Sequence, residues 1–397
     1  MPAKMLRPWL VALPAKTYAL CQSNTHPPTA GCPPGTLYVS ATDKRANFTT
    51  VQAAIDYLGN GTGPGFILIA PGNYTEQLNV TRHAPLTLLG MSRRPLRGES
   101  YADVDTTTAP GRQNDVQIWW NAANTNSRYP DNVYTGVLTI GPTLNATLTG
   151  SGPTGFPVPD DTPFGCTDFR AYNIDFRNEY APYSDGPAHA VGVSRANAGF
   201  YSCGLYSWQD TLYIGKLGNA YFHDTIIAGQ TDFLYGFGTG YLSRSTLLLR
   251  SCGGGITAWK GTNTSADPFA RNKYGIYIDA SQAIAANASV APQLAGRCAL
   301  GRPWNALHRS VFMRSFLDPS VRPDGYVVWQ AGDPRVNAST FMATWHAYGP
   351  GYNATAERAS NVTRVLSDRE VAPYRRPVDV FVGEGGVGWI DRSVLAE

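Results

Sequence analysis

Ala198–Tyr213, AGFYSCGLYSWQDTLY, can be laid over Ala220–Tyr235, AYFHDTIIAGQTDFLY, at a constant offset of 22 residues. Phe200 then meets Phe222, Leu205 meets Ile227, Asp210 meets Asp232, Leu212 meets Leu234 and Tyr213 meets Tyr235. Self-similarity at such a period marks a solenoid, one structural unit stacked on the next. Aromatic and β-branched residues broken by Gly, Ser and Asn favour strand over helix. The repeat therefore predicts an all-β parallel β-helix with a coil of about this length. Parallel strands lie roughly 4.8 Å apart, so matched residues stand one above another and Asp210 faces Asp232 as a carboxylate pair.

Composition agrees with a turn-rich solenoid. A chain of 397 residues would ordinarily suggest two or three globular domains. A solenoid escapes that expectation because its core grows along one axis. Charged residues make up 15%, below the roughly 25% of ordinary domains. A net charge of +3 is too small to imply nucleic acid binding, though it is compatible with a polyanionic ligand. N-x-[ST] sequons begin at Asn47, Asn60, Asn73, Asn79, Asn145, Asn263, Asn287, Asn337, Asn353 and Asn361. Their density favours a eukaryotic secreted glycoprotein, although Asn73 is expected to pack into a coil.

Six cysteines, Cys21, Cys32, Cys166, Cys203, Cys252 and Cys298, allow about 15 pairings, and spacing does not choose among them. Cys203 sits in a repeat position and reads as a small core residue. No CxxC occurs, which argues against a zinc or redox centre. No metal or organic cofactor is expected. Residues 1–20 read as an atypical signal peptide, with Lys4 and Arg7 ahead of a short apolar run that Pro14 and Lys16 interrupt. No apolar run reaches the length of a membrane span. Residues 21–36 read as a Pro-rich tether, and residues 37–397 as one solenoid domain.

Along the domain, Val51, Ala54, Ile55 and Leu58 recur at a helical period within Phe48–Leu58. That predicts a short helix, capped by Thr49 or Thr50, closing the open end of the solenoid. Strands are expected at Phe66–Ala70, Leu86–Leu89, Val116–Trp120, Val137–Ile140, Phe169–Phe176, Tyr241–Leu249, Ser310–Phe316 and Gly325–Trp329. Loops are expected at Thr106–Pro110, Asn121–Asp131, Ser151–Asp161, Asp279–Ala299 and, inserted beside the Asp210 coil, Asn178–Gly186. Phe341–Tyr348 and the tail to Glu397 are expected to fold back along the coils.

Five ordered blocks give the chain a family resemblance. QDTL at Gln209–Leu212 and DFLYG at Asp232–Gly236 resemble signature blocks of the pectin methylesterases, carbohydrate esterases built on a right-handed parallel β-helix. GNYTE at Gly72–Glu76 is similar to their early block and LGRPW at Leu300–Trp304 to their late one. AHAVGV at Ala188–Val193 stands where that family carries Gln-Ala-Val-Ala. The resemblance runs from about Tyr38 to Trp389. It implies hydrolysis of galacturonate methyl esters in pectin by a secreted monomer that works on a polysaccharide, with no nucleic acid or membrane partner.

The chemistry fits the residue types. Neighbouring carboxylates push their pKa values apart, so one ionises while the other stays protonated. The resemblance makes Asp232 the nucleophile, Asp210 the general acid and then base, and Arg302 the cation beside Asp232. Gln209 offers an amide donor to an oxyanion. Trp304, Tyr213 and Tyr235 offer flat faces to sugar rings. His189 takes the place of the family glutamine that supplies an oxyanion donor. A neutral imidazole keeps one N–H for that task, and the alternative is a weakened or inactive pectin-binding relative. A lyase or polygalacturonase on the same solenoid is the other rival, since paired carboxylates also serve glycoside hydrolysis. Gly72, Tyr74 and Glu76 read as structural.

Overall fold

A computed structural model describes residues 18–23, 27–92, 113–150, 162–261, 272–383 and 385–395. Residues 1–17 of the stretch read as an atypical signal peptide, the loops Thr106–Pro110 and Ser151–Asp161 and the sequon at Asn263 lie outside the described residues. Among the described residues the strands form three parallel sheets of eleven, eight and six strands, the parallel β-helix that the repeat implies. One coil runs through Asn197–Tyr201 in the first sheet, Gly204–Tyr206 in the second and Leu212–Ile214 in the third. The next coil repeats this at Asn219–His223, Ile226–Thr231 and Leu234–Gly236. Phe200 pairs with Phe222, Leu205 with Ile227 and Leu212 with Leu234, the register read from the repeat.

Inward residues stack into continuous ladders. The Phe200 and Phe222 rings lie 5.0 Å apart and nearly parallel, both fully buried. Burial of that kind contributes about 1.5–3 kcal/mol for each side chain. Cys203 joins this core as a free thiol, as does Cys166.

The corners between sheets need a residue in the left-handed region. Asn173, Ser202, Asp224, Arg244, Ala280, Arg314 and His346 all have φ between 46° and 54° at the corner leaving the first sheet. Positive φ costs roughly 1–2 kcal/mol for an L-residue, with Asn and Asp tolerating it best. Repetition of the corner shows that the coil geometry outweighs that cost.

The entrance is closed by the helix Val51–Leu58, with Val51, Ala54 and Ile55 buried. Thr50 stands at its N-cap but makes no side-chain cap. Glu76 of the GNYTE block does so instead, its carboxylate accepting from Val51 N and Gln52 N, both at 2.9 Å. Tyr74 donates to Ala70 O at 2.9 Å in the interior. Asn73, expected to be packed, is exposed, because alternation along Gly72–Thr75 turns it outward.

Several local expectations need correction. Gly325–Trp329 is an irregular segment held by Val327 N to Gly301 O and Tyr326 N to Thr363 Oγ1, not a strand. Asp279–Ala299 contains the strand Gln282–Ala285 and a helical turn at Ala291–Leu294. Phe341–Trp345 and Arg364–Val365 extend the first sheet rather than folding back. Only the chain beyond them returns, covering a file of tyrosines on the outer face. Tyr172 donates to Asp391 Oδ2 at 2.8 Å, Tyr221 to Val394 O at 2.9 Å and Tyr241 to Arg375 O at 2.7 Å. The stretch read as a tether is also docked: Cys21 is bonded to Cys32, and Gln22 donates to Gly90 O at 3.0 Å.

Candidate active site

Two consecutive coils present the carboxylates at the corner between the second and third sheets. Gln209 bridges Thr231 in parallel register, and Asp210 N donates to Thr231 O at 3.1 Å. Asp210 and Asp232 are therefore adjacent rungs, both in the left-handed region at φ 59° and 48°. Strain of this order persists where surrounding structure dictates it, and it is concentrated at functional sites. Both residues are 7% exposed, so their charges are poorly solvated.

Their partners differ. Arg302 Nε donates to Asp232 Oδ1 at 2.9 Å, and Nη2 donates to Oδ2 at 2.6 Å. Gly255 N donates to Asp232 Oδ1 at 3.1 Å. Burial pushes Asp232 up, while the Arg302 fork and the Gly255 N–H hold it back. Burial and then the Asp232 charge push Asp210 well above the carboxylate range, with Arg302 opposing. The two environments differ in sign: Arg302 and the Gly255 N–H favour the ionised form of Asp232, while burial and the neighbouring charge favour the protonated form of Asp210.

Gln209 is oriented by a residue that sequence reasoning left inside an anonymous loop. Ser184, in the predicted insertion Asn178–Gly186, donates from Oγ to Gln209 Oε1 at 2.8 Å and from N to Gln230 Oε1 at 3.3 Å. With Oε1 engaged by Ser184, the N–H₂ end of the half-buried Gln209 is the part of the amide left to donate. The signal available in the sequence was position alone: an insertion beside the Asp210 coil.

The aromatic residues divide. Tyr213 and Tyr235, 1% and 3% exposed, pack as a floor with ring centres 4.9 Å apart and planes tilted by 39°. Trp304 packs 5.4 Å from Tyr235 and keeps partly exposed surface. Lys260 Nζ lies 3.7 Å from the Trp304 ring centre, and burial brings its pKa down to about 8. Trp329, read only as the end of a strand, lies 3.9 Å under the Arg302 guanidinium, with Arg335 also 4.2 Å from its ring. That stacking fixes the plane of the fork that grips Asp232.

His189 lies fully enclosed beneath this floor, against the expectation that it touches substrate. Its Nε2 is hydrogen-bonded to Tyr235 Oη, and its ring stacks on Tyr213 at 5.7 Å. Burial lowers its pKa to about 4, so the ring is neutral near pH 7. Nδ1 has no partner. A bare buried lone pair costs less than a bare buried N–H, which assigns the proton to Nε2, donating to Tyr235. The one N–H that sequence reading offered to an oxyanion is spent on a tyrosine, so in this conformation His189 supports Tyr235.

Comparison with known proteins follows the same lines. A family model described as Pectinesterase matches residues 163–382. "Probable pectinesterase A" of Neosartorya fischeri is 25% identical over 366 residues, covering 91% of this chain and 90% of that one. The crystal structure of a pectin methylesterase from Aspergillus niger superposes with a TM-score of 0.66 at 24% identity, over 91% of this chain and 98% of that one. A pectin methylesterase from carrot gives the same TM-score at 19% identity, over 91% and 96%. At these identities the two structures speak for the fold, while the family model and the curated relative speak for an esterase.

Proposed function

Because the chain belongs to the pectinesterase family, we propose that it hydrolyses methyl esters of galacturonate units in pectin, with Asp232 as nucleophile and Asp210 as general acid and base. The observation that carries this reading is the asymmetry of the pair: Arg302 grips Asp232 through two parallel hydrogen bonds. Among the described residues no cation pairs with Asp210.

Asp232 attacks the ester carbonyl carbon, and the carbonyl π electrons move onto oxygen. Gln209 N–H₂ donates to that oxyanion, a contribution worth about 10²–10³-fold where single donors have been removed. As the tetrahedral intermediate collapses, the C–O bond to methoxide breaks, and Asp210 transfers its proton so that methanol leaves. The acyl group is then held on Asp232 as an anhydride. Asp210, now ionised, takes a proton from water. The resulting hydroxide attacks the acyl carbon, Asp232 departs as carboxylate, and a free galacturonate remains with Asp210 reprotonated. Trp304 offers the half-exposed face on which a sugar ring can stack. The same reading makes the protein a secreted monomer acting on cell-wall pectin, in keeping with its sequon density.

The test is methanol release from methylated pectin by the purified protein, with polymer viscosity followed in parallel. Methanol with unchanged viscosity supports the reading. Viscosity loss without methanol points to chain cleavage, and binding without either product to an inactive relative. Asp232→Ala abolishes methanol release while leaving the fold intact; turnover near the parent's would overturn the assignment.

A further inference from the structure

We propose that the Cys252–Cys298 disulfide positions Asp232, by tying the chain segment that supplies the Gly255 N–H to the segment that supplies Arg302. This rests on the reading of Asp232 as nucleophile, and it adds residues that neither the repeat nor the family blocks contain.

Both anchors of Asp232 come from outside its own coil. Gly255 stands three residues after Cys252, and Arg302 stands four residues after Cys298. The disulfide joins the two segments just before each reaches the carboxylate. Beyond the bond they run side by side: Ile256 N donates to Ala299 O at 3.0 Å, Thr257 N to Leu300 O at 3.1 Å and Arg302 N to Thr257 O at 2.9 Å.

The segment after Cys252 is Gly253–Gly254–Gly255, and close approach requires it to be bare. Gly254 is left-handed at φ 62°. A Cβ on Gly254 would fall on Asp232 Oδ1 and within 2.7 Å of Arg302 Nε. A Cβ on Gly255 would come within 2.6 Å of Gly301 Cα. Gly253 still belongs to the strand Thr246–Gly253, but Gly254 and Gly255 lie beyond it, and glycines have much backbone freedom to lose. Yet Gly255 must accept from Asp232 N at 2.8 Å while donating to the same residue's carboxylate. The disulfide sits at the boundary of this segment and supplies the restraint that its side chains cannot.

The test removes the bond as Cys252→Ala/Cys298→Ala. Methanol release is measured against pH, beside melting temperature and a carboxyl NMR titration of Asp232. Cys21→Ala/Cys32→Ala is the control, since it deletes a disulfide that lies away from the carboxylates. In the Cys252/Cys298 variant kcat falls by roughly 10- to 100-fold, the scale expected when a reacting group is misplaced by up to about 1 Å. KM changes by less than about 2-fold, since the groups that hold the polymer are untouched. The acidic limb of the rate profile and the Asp232 titration both move to higher pH, because the donors that favour the carboxylate have loosened. The control loses melting temperature only.

A Cys252/Cys298 variant with a lowered melting temperature, but parental kcat and acidic limb well below melting, overturns the proposal and leaves the bond a staple. Should that variant fail to fold, the bond is reduced instead in folded Cys21→Ala/Cys32→Ala protein. A phosphine then supplies two electrons, becoming the phosphine oxide with oxygen from water, and the sulfurs take two protons to become thiols. The same shifts are expected, and parental kinetics after reduction overturn the idea equally. If the parent itself releases no methanol, the functional reading fails, while the NMR titration still decides whether the bond sets the Asp232 environment.

Discussion

Arg302→Lys keeps the charge beside Asp232 and removes the fork. In the parent, Nε reaches Oδ1 at 2.9 Å and Nη2 reaches Oδ2 at 2.6 Å, so both carboxylate oxygens are held in one plane. A lysine ammonium can take one of those positions, and it loses the planar stack on Trp329 now at 3.9 Å. Loss of one hydrogen bond to a charged group costs about 1.5–3 kcal/mol. At about 1.4 kcal/mol for each factor of ten, kcat should fall by roughly 10- to 150-fold. The pH dependence carries the sign. In the proposed mechanism Asp232 acts as the carboxylate; burial raises its pKa, and Arg302 is the main group pulling it down. Weakening that pull raises the pKa further, so the acidic limb of kcat should move to higher pH, while the alkaline limb, which the proposed mechanism assigns to Asp210, should move less. Methanol release across the pH range measures both limbs. A variant within about 3-fold of the parent at its optimum, with the acidic limb unmoved, would refute the claim that the fork sets the nucleophile's protonation.

Asp210→Asn removes the proposed proton donor and should cost about 10²–10⁴-fold in turnover. The same change should raise the melting temperature near neutral pH. A carboxyl with a raised folded pKa binds more protons folded than unfolded, so its unfavourable contribution grows as pH rises from the unfolded toward the folded pKa. His189→Ala should lower the melting temperature and, through Tyr235, turnover. Tyr235→Phe strips the partner from a buried Nε2 at a cost of about 1–3 kcal/mol. Denaturant titrations of both single variants and the double variant should give a coupling of roughly 0.5–3 kcal/mol, and strict additivity would disprove the pairing. Glu76→Ala leaves two helix N–H groups uncapped, and should destabilise by about 1–2 kcal/mol with kcat unchanged.

The 22-residue offset alone determined the stacking register. Parallel strands place equivalent residues on adjacent rungs, so Phe200 over Phe222 and Asp210 beside Asp232 followed from counting. Helical spacing likewise exposed the entrance helix, because one buried face leaves a periodic trace in the chain. The partners of these residues left no such trace. Ser184 reaches Gln209 across 25 positions, Arg302 reaches Asp232 across 70, and Glu76 caps a helix 25 residues before it. Those contacts arise from how insertions between coils fold back, which no local period encodes. His189 is the sharpest case. Its motif position suggested a donor facing substrate, and only the packed structure revealed the Tyr235 hydroxyl hydrogen-bonded to its Nε2 and the ring stack that encloses it. Periodicity reports which face a residue occupies in its own coil; what lies over that face is decided by chains from elsewhere.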